Sequence, residues 1–212
     1  LPNYAKDLGY ETPDAARQAV QTTILGAELE GVSYDRLFDY YADAETWGTG
    51  NAWKILVDDY VTVSDGTGIV HQAPAYGEDD KRLADAAGLP TIISLDDGGR
   101  FLSAVTDVAG ELWMEANRPL IRLLKQGGRL LREASYEHSY PHCWRCRNPL
   151  IYKAVSSWFV RVTDVKDRLL ENNQQITWVP ENVKEGQFGK WLEGARDWSI
   201  SRNRYWGSPI PI

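Results

Sequence analysis

Hydrophobic and polar positions alternate most clearly in the segment 53–73. Within it, residues 61–64 alternate valine with a polar residue, Asp65-Gly66 is typical of a tight turn, and residues 68–73 return as a second apolar run. A period of two places one side of a strand against a core, and Asp-Gly is a common hairpin connection. The pattern therefore predicts a β-hairpin that carries His71 on its second strand.

Helical signals follow this hairpin. The segment 78–88 predicts a short helix that ends at Gly88. The segment 117–128 predicts a longer helix, with Asn117 as its N-cap and Pro119 in its first turn. Further short elements are predicted as helices at 14–21 and 165–172 and as strands at 22–32 and 89–99. Interleaved strands and helices predict an α/β domain built around a β core.

The character of the sequence changes near residue 136. Six of the nine tryptophans lie between Trp144 and Trp206. Charge changes as well: residues 1–130 hold 11 Lys and Arg against 21 Asp and Glu, whereas residues 131–212 hold 12 against 9. An acidic region followed by a mildly basic one predicts two functional regions, 1–135 and 136–212.

Composition limits the class of protein. The chain has 212 residues, of which 43% are hydrophobic and 25% charged, as in a soluble globular protein. It has no run of 18 apolar residues and no signal-peptide pattern, so we expect no membrane partner. The two cysteines are too few for a disulfide scaffold, and we expect a cytoplasmic protein. Both ends look like cuts, and we expect a piece of a longer chain.

Three carboxylates, Glu78, Asp79 and Asp80, stand at the start of the predicted helix. Acidic residues at a helix start are common, because the helix dipole favours negative charge there. A functional interpretation requires one of them to face a pocket. An aspartate so placed stays ionised, which suits it to hold an ammonium group and suits it poorly as a general acid. A histidine on a strand, such as His71, is more often a packed residue than a catalytic one.

The pair Cys143 and Cys146 has the spacing of half a zinc site. A structural zinc site needs four ligands, and the chain has no further cysteines. A redox dithiol is the alternative, but the usual βαβ context is absent. The sequence also has no glycine-rich phosphate loop, no nucleophilic serine elbow and no HExxH motif.

Three motifs occur in an order that is specific. They are "GTGIVHQAPAYGEDD", "SYPHCWRCRNPLIYKAVSSWF" and "RDWSISRNRYWGSPIP". In this order they resemble the isoleucyl-tRNA synthetases, class I enzymes with an inserted editing (CP1) domain. The resemblance implies a β-barrel-like editing core with short surrounding helices, followed by a partial segment of the Rossmann-type catalytic domain.

The resemblance also implies a function. Such enzymes attach isoleucine to tRNA(Ile) with ATP, and their inserted domain hydrolyses wrongly attached valine. One missing methylene changes binding too little for a single pocket to exclude valine, and this pair of amino acids is the standard example of that limit. Aminoacyl esters of valine and isoleucine are therefore the expected ligands, and water is the expected nucleophile. The enzyme is expected to be a monomer.

Site residues follow by position in the motifs. Asp80 matches the aspartate that holds the α-ammonium group, and His71 matches the histidine that helps to block isoleucine. Tyr76, between them, is expected to wall the pocket. Trp206 matches a tryptophan near the isoleucine pocket of the synthetic site. Cys143 and Cys146 match the second cysteine pair of a zinc knuckle whose first pair is absent from this chain.

Some motifs of the family are missing, namely the threonine-rich strand that contacts the terminal adenosine and the HIGH-like and KMSKS-like ATP motifs. We therefore expect this chain alone to edit weakly or not at all, and not to aminoacylate. Three alternatives remain: a valyl-type editing domain that removes threonine, a non-catalytic tRNA-binding or zinc module, and a hydrolase with paired carboxylates that acts on a sugar.

Overall fold

The computed structural model describes residues 4–63, 67–135, 137–204 and 206–212. The chain divides into two compact units, Leu1–Ala154 and Val155–Ile212. The functional boundary predicted near residue 136 from composition therefore lies inside the first compact unit, and as a boundary between functional domains it stays a prediction.

In its described residues the first unit contains four α-helices: α1 (Pro13–Gln18), α2 (Ala44–Trp47), α3 (Glu78–Ala86) and α4 (Asn117–Gln126). Short 3-10 turns lie at Gly26–Leu29 and Thr106–Val108. Its β pairing in the described residues consists of isolated bridges, such as Ser33 with Lys54 and Leu95 with Phe101. The buried cluster of this unit consists of Val105, Val108 and Ala116, with Tyr40, Tyr41, Phe101 and Leu120 packed against it.

The helices predicted in the first unit are confirmed, with one correction. α3 starts after Gly77 and stops before Gly88, whose φ of +67° suits glycine. In α4, Pro119 lies in the first turn, where its missing N–H needs no partner. Asn117, however, is the first helical residue and not the cap: Ala116 holds the cap position and makes no side-chain cap hydrogen bond.

The predicted hairpin is wrong for the described residues. Residues 61–63 and 67–73 form no β-bridge, and the turn at Asp65-Gly66 lies outside the described residues. Val63 and Ile69 are 90% and 66% exposed. A strand is stabilised by side chains that pack against a neighbouring layer, and these side chains have none. The barrel-like core is likewise not formed in the described part of the chain.

The second unit contains β1 (Phe159–Val160), α5 (Lys166–Gln175), α6 (Gln187–Glu193) and β2 (Trp198–Ser199), with 3-10 turns at Val162–Val165 and Glu181–Val183. β1 and β2 pair antiparallel, with Phe159 opposite Ser199. The predicted helix at 165–172 corresponds to α5. Helices together with a small open sheet confirm the α/β class. The pair is antiparallel, whereas a Rossmann-type sheet is built from parallel strands.

Among the described residues, no helix combines the length and the apolar character that crossing a membrane requires.

Candidate functional site

Asp80 lies at the third position of α3, half-buried, with its carboxylate turned back to the preceding segment. Its Oδ2 accepts a hydrogen bond from the Ala73 N–H at 2.9 Å, and its Oδ1 accepts one from the Tyr60 hydroxyl at 3.3 Å. A carboxylate oxygen can accept two hydrogen bonds. Each oxygen of Asp80 therefore keeps acceptor capacity while two donors fix its direction.

Gly77, the N-cap of α3, leaves room for this carboxylate. A Cβ atom at this position would lie 2.6 Å from Oδ2 of Asp80, closer than real Cβ contacts come. The backbone of Gly77 has φ −140° and ψ 137°, which other residues also adopt. The requirement for glycine here is therefore space for the Asp80 side chain rather than an unusual backbone conformation.

Tyr60 is a site residue that the sequence patterns did not reveal. Besides contacting Asp80, its hydroxyl oxygen accepts a hydrogen bond from Gln72 Nε2 at 3.3 Å. Nearby, Asp58 accepts a hydrogen bond from Arg82 of α3 at 2.7 Å, which lowers the pKa of the Asp58 carboxyl. The segment 58–60 is thus tied to α3 at two points. No motif in the sequence pointed to these contacts, because they join residues 12 to 24 positions apart.

His71 is exposed and lies two residues before Ala73, whose N–H holds Asp80. It belongs to a segment without regular secondary structure, so the predicted strand placement is corrected. Within the described residues, its ring makes no hydrogen bond to Asp80. The structure brings the two residues onto neighbouring segments and does not join them directly.

Tyr76 lines a cavity of about 530 Å³ at the start of α3. Its hydroxyl oxygen accepts the Ser94 N–H at 2.9 Å and lies 2.9 Å from Ser94 Oγ. Asp80 and His71 are not among the residues that line this cavity. The other lining residues come from the turn before α3, from α3 itself and from the end of the first unit: Pro74, Ala75, Gly77, Glu78, Lys81, Arg82, Asp85, Tyr152, Lys153 and Ala154.

The cations of this cavity are already paired. Lys81 contacts Asp85 at 2.8 Å, and Lys153 contacts Asp97 at 3.1 Å. The backbone N–H of Ala154 also donates to the Ala75 carbonyl at 2.7 Å, which holds the two walls together. Two cations of the cavity are therefore paired with carboxylates, and Asp80, which keeps acceptor capacity, is not one of the lining residues.

Cys143 and Cys146 lie at the tip of a tight hairpin. The backbone N–H groups of Cys146 and Arg145 donate to the Cys143 sulfur and lower its pKa, which favours a metal-binding thiolate. Cys143 is partly buried and Cys146 is exposed. Within the described residues, no three His, Cys, Asp or Glu side chains group closely enough to hold a metal ion. Two thiols are fewer than the four ligands of a structural zinc site, so the described residues do not form a complete one.

Trp206 lies in the second unit, fully exposed and with a φ of +57°. Its preceding residue, 205, is outside the described part of the chain. Trp206 is not among the residues that line the cavity described above, and its predicted contact with an amino acid side chain stays a prediction.

The amino-acid sequence of the chain matches a known family. The sequence matches the class I tRNA synthetases (I, L, M and V) over residues 10–212. It is 77% identical over 210 residues to the isoleucine–tRNA ligase of Leifsonia xyli subsp. xyli, which covers 99% of this chain and 19% of that protein.

Two further relatives have the same name. The isoleucine–tRNA ligase of Tropheryma whipplei (strain Twist) is 56% identical over 212 residues, which covers 100% of this chain and 20% of that protein. The isoleucine–tRNA ligase of Mycobacterium tuberculosis (strain H37Rv) is 54% identical over 220 residues, with the same coverage. The chain therefore spans about one fifth of the length of the curated relatives that it matches.

Proposed function

Since the chain belongs to the class I tRNA synthetase family of the isoleucine, leucine, methionine and valine enzymes, we propose that it is part of an isoleucine–tRNA ligase. The family match confirms the resemblance that the three motifs indicated. Attachment of isoleucine to tRNA(Ile) with ATP is proposed for the whole protein. The barrel-like editing core and the Rossmann-type catalytic domain are likewise assigned to the whole protein.

We further propose that the first unit contributes to the editing site, where valyl-tRNA(Ile) is hydrolysed. The observation that carries this proposal is the Asp80 carboxylate, which is directed by Ala73 and Tyr60 and keeps spare acceptor capacity. An ionised carboxylate in this setting would hold the α-ammonium group of the misattached amino acid. Water would attack the ester carbonyl, and the enzyme would form no covalent intermediate.

His71 would decide the size of the side chain that is accepted. It lies on the segment whose Ala73 N–H anchors Asp80, so an amino acid held by Asp80 would extend along that segment. Tyr76 would wall the adjacent cavity, where Ser94 fixes its hydroxyl. An imidazole next to a valine side chain would leave too little space for the additional methylene of isoleucine.

The remaining roles concern the whole protein. Cys143 and Cys146 would hold a structural zinc ion together with two ligands from outside this chain, and the zinc would fix the fold of the knuckle. Trp206 would contact isoleucine at the synthetic site. The protein would be monomeric and cytoplasmic.

The alternative of a sugar hydrolase with paired carboxylates has less support. Asp79 lies 3.7 Å from Arg82, and Glu78 lines the cavity whereas Asp80 does not. A glycosidase needs two carboxylates that face one bond. The three carboxylates at the start of α3 therefore have different surroundings. Glu78 lines the cavity, Asp79 faces Arg82, and Asp80 accepts hydrogen bonds.

The test is the specificity of ester hydrolysis by a protein of the relatives' length that contains this segment. We expect cleavage of valyl-tRNA(Ile) and sparing of isoleucyl-tRNA(Ile), and we expect His71→Ala to begin to cleave the isoleucyl ester. Cleavage of threonyl-tRNA with sparing of the valyl ester would instead indicate a valyl-type domain. Absence of any ester hydrolysis in a protein that holds zinc would indicate a non-catalytic module.

A further inference from the structure

A tight hairpin over residues 140–150, named here the knuckle hairpin, lies in the first unit. The Cys143 N–H donates to the Asn148 carbonyl at 2.8 Å, and the Leu150 N–H donates to the Pro141 carbonyl at 3.0 Å. The Tyr140 hydroxyl closes the base of the hairpin by donating to the Leu150 carbonyl at 2.7 Å. These bonds fix the backbone that presents the tip.

Tyr140 also anchors the knuckle hairpin to the rest of the unit. Its ring stacks on Trp113 with centroids 6.2 Å apart. The Arg147 N–H donates to the Cys143 carbonyl at 2.8 Å, and Arg147 adopts a φ of +63° to close the turn. The tip is therefore positioned before any partner binds, which lowers the entropy lost on binding.

The tip carries an exposed aromatic ring between cations. Trp144 is 76% exposed, and the guanidinium of Arg145 lies 4.8 Å from the centre of its ring. Arg145 and Arg147 are exposed, and neither forms a salt bridge with a carboxylate of the described residues. The tip thus presents an exposed tryptophan and two guanidinium groups that no carboxylate of the described residues neutralises.

The charge around the tip differs from that of the rest of the unit. Residues 138–154, the end of this unit, contain no Asp or Glu, although residues 1–130 hold 21 of them against 11 Lys and Arg. An RNA strand would be repelled by most of the acidic unit and attracted to this stretch. The charge of the tip therefore favours a polyanion as its partner.

We propose that the knuckle hairpin is a docking surface for an unpaired nucleotide of the bound tRNA. Trp144 stacks on the base, and Arg145 and Arg147 contact the flanking phosphates. Proteins that bind single strands combine an aromatic platform with guanidinium groups in this way, since every base has a π-face. The inference rests on the proposed function only in the choice of tRNA as the RNA.

The experiment measures binding of the full chain to three labelled probes by fluorescence anisotropy. The probes are a tRNA(Ile) transcript, an unstructured oligouridine of about ten nucleotides, and a blunt RNA duplex. We expect Trp144→Ala to weaken binding of the first two about tenfold, and Trp144→Phe to keep most of it, since the phenyl ring still stacks. Arg145→Ala should lower the slope of log K against log salt by about one.

The matched control is Trp191→Ala, which removes a tryptophan of similar exposure, 66%, from α6. The proposal is overturned if the wild-type chain binds no probe, if the duplex binds as well as the oligouridine, or if Trp191→Ala weakens binding as much as Trp144→Ala.

Failure of the proposed editing function would give a different result. In the whole protein, Asp80→Ala would then leave valyl-ester hydrolysis unchanged, whereas Trp144→Ala should change the tRNA concentration required and not the saturated rate.

Discussion

Asp80 is the residue at which separate parts of the chain meet. Its backbone belongs to α3, its Oδ2 is held by the segment that also carries His71, and its Oδ1 is held by Tyr60. The position of Asp80 at a helix start could be predicted from the glycine before it and the acidic residues beside it. The contact with Tyr60 could not, because it depends on how residues 58–60 fold back onto α3.

Gly77→Ala should impair the site without unfolding the chain. The new Cβ would lie 2.6 Å from Asp80 Oδ2, so the carboxylate must turn away from the Ala73 N–H. Misplacement of a group that positions substrate is costly, and we expect valyl-tRNA(Ile) hydrolysis by the whole protein to fall at least about tenfold. The free energy of unfolding should change by less than about 1 kcal/mol.

The control for this substitution is Gly50→Ala, because a Cβ at Gly50 meets nothing within 4 Å. Hydrolysis by that variant should match the wild type. Equal rates for both variants would mean that the orientation of Asp80 has no part in the reaction.

At the scale of elements, the sequence signals that mark helix ends predicted the helices correctly, whereas the alternation of apolar and polar residues did not predict strand pairing. α3 and α4 could be predicted because caps, prolines and terminal glycines act within one turn of the helix. The hairpin at 61–73 could not, because alternation alone does not supply the neighbouring layer that a strand needs. Val63 and Ile69 remain exposed in the described residues for this reason.

In the second unit, Asn173 joins α5 to the segment that leads into α6. The side chain is 1% exposed; its Nδ2 donates to the Lys184 carbonyl at 2.8 Å, and its Oδ1 accepts from Trp178 Nε1 at 2.9 Å. Asn173→Ala leaves two polar groups without partners, so we expect the free energy of unfolding to fall by about 2 kcal/mol. Urea unfolding followed by tryptophan fluorescence measures this change.

Asn172→Ala is the matched control, since it changes the exposed neighbour on the same helix. Its free energy of unfolding should stay within about 0.5 kcal/mol of the wild-type value. If the two variants lose the same stability, the buried amide does not stabilise the second unit in the way described.

Asp197, the residue before β2, is hydrogen-bonded to Thr163 in the 3-10 turn that follows β1. Its Oδ1 accepts the Thr163 hydroxyl at 2.7 Å and the Thr163 N–H at 3.0 Å, and these bonds lower the pKa of the carboxyl. The folded pKa is thus below the unfolded value of about 3.9. The stabilisation is therefore present at neutral pH and is lost as the pH falls through the folded pKa.

Asp197→Asn should flatten this pH dependence, because the amide keeps an acceptor oxygen and does not titrate. We expect the urea midpoint of the wild type to fall more than that of the variant between pH 7 and about pH 3. Thr163→Val, which removes the hydroxyl donor, should change the wild-type profile in the same direction. Identical acid profiles for the wild type and Asp197→Asn would contradict the assignment.

At the scale of the whole molecule, order of motifs carried more information than any single residue. Asp80, His71 and the cysteine pair are individually ordinary, and their sequence order led to the family that the comparisons show. The chain spans about one fifth of the length of its relatives, so the contacts that the proposed editing site would receive from the rest of the protein could not be predicted from these residues. Exposed residues such as Trp206 are expected to acquire their contacts from the remainder of the protein.

The central claim is that the Asp80 carboxylate holds the misattached amino acid for hydrolysis. The direct test is the first-order rate constant for deacylation of valyl-tRNA(Ile) by the whole protein and by its Asp80→Ala variant. We predict that the variant loses this deacylation, about a hundredfold or more, while attachment of isoleucine continues at the wild-type rate. A variant that deacylates valyl-tRNA(Ile) as fast as the wild type would contradict the claim.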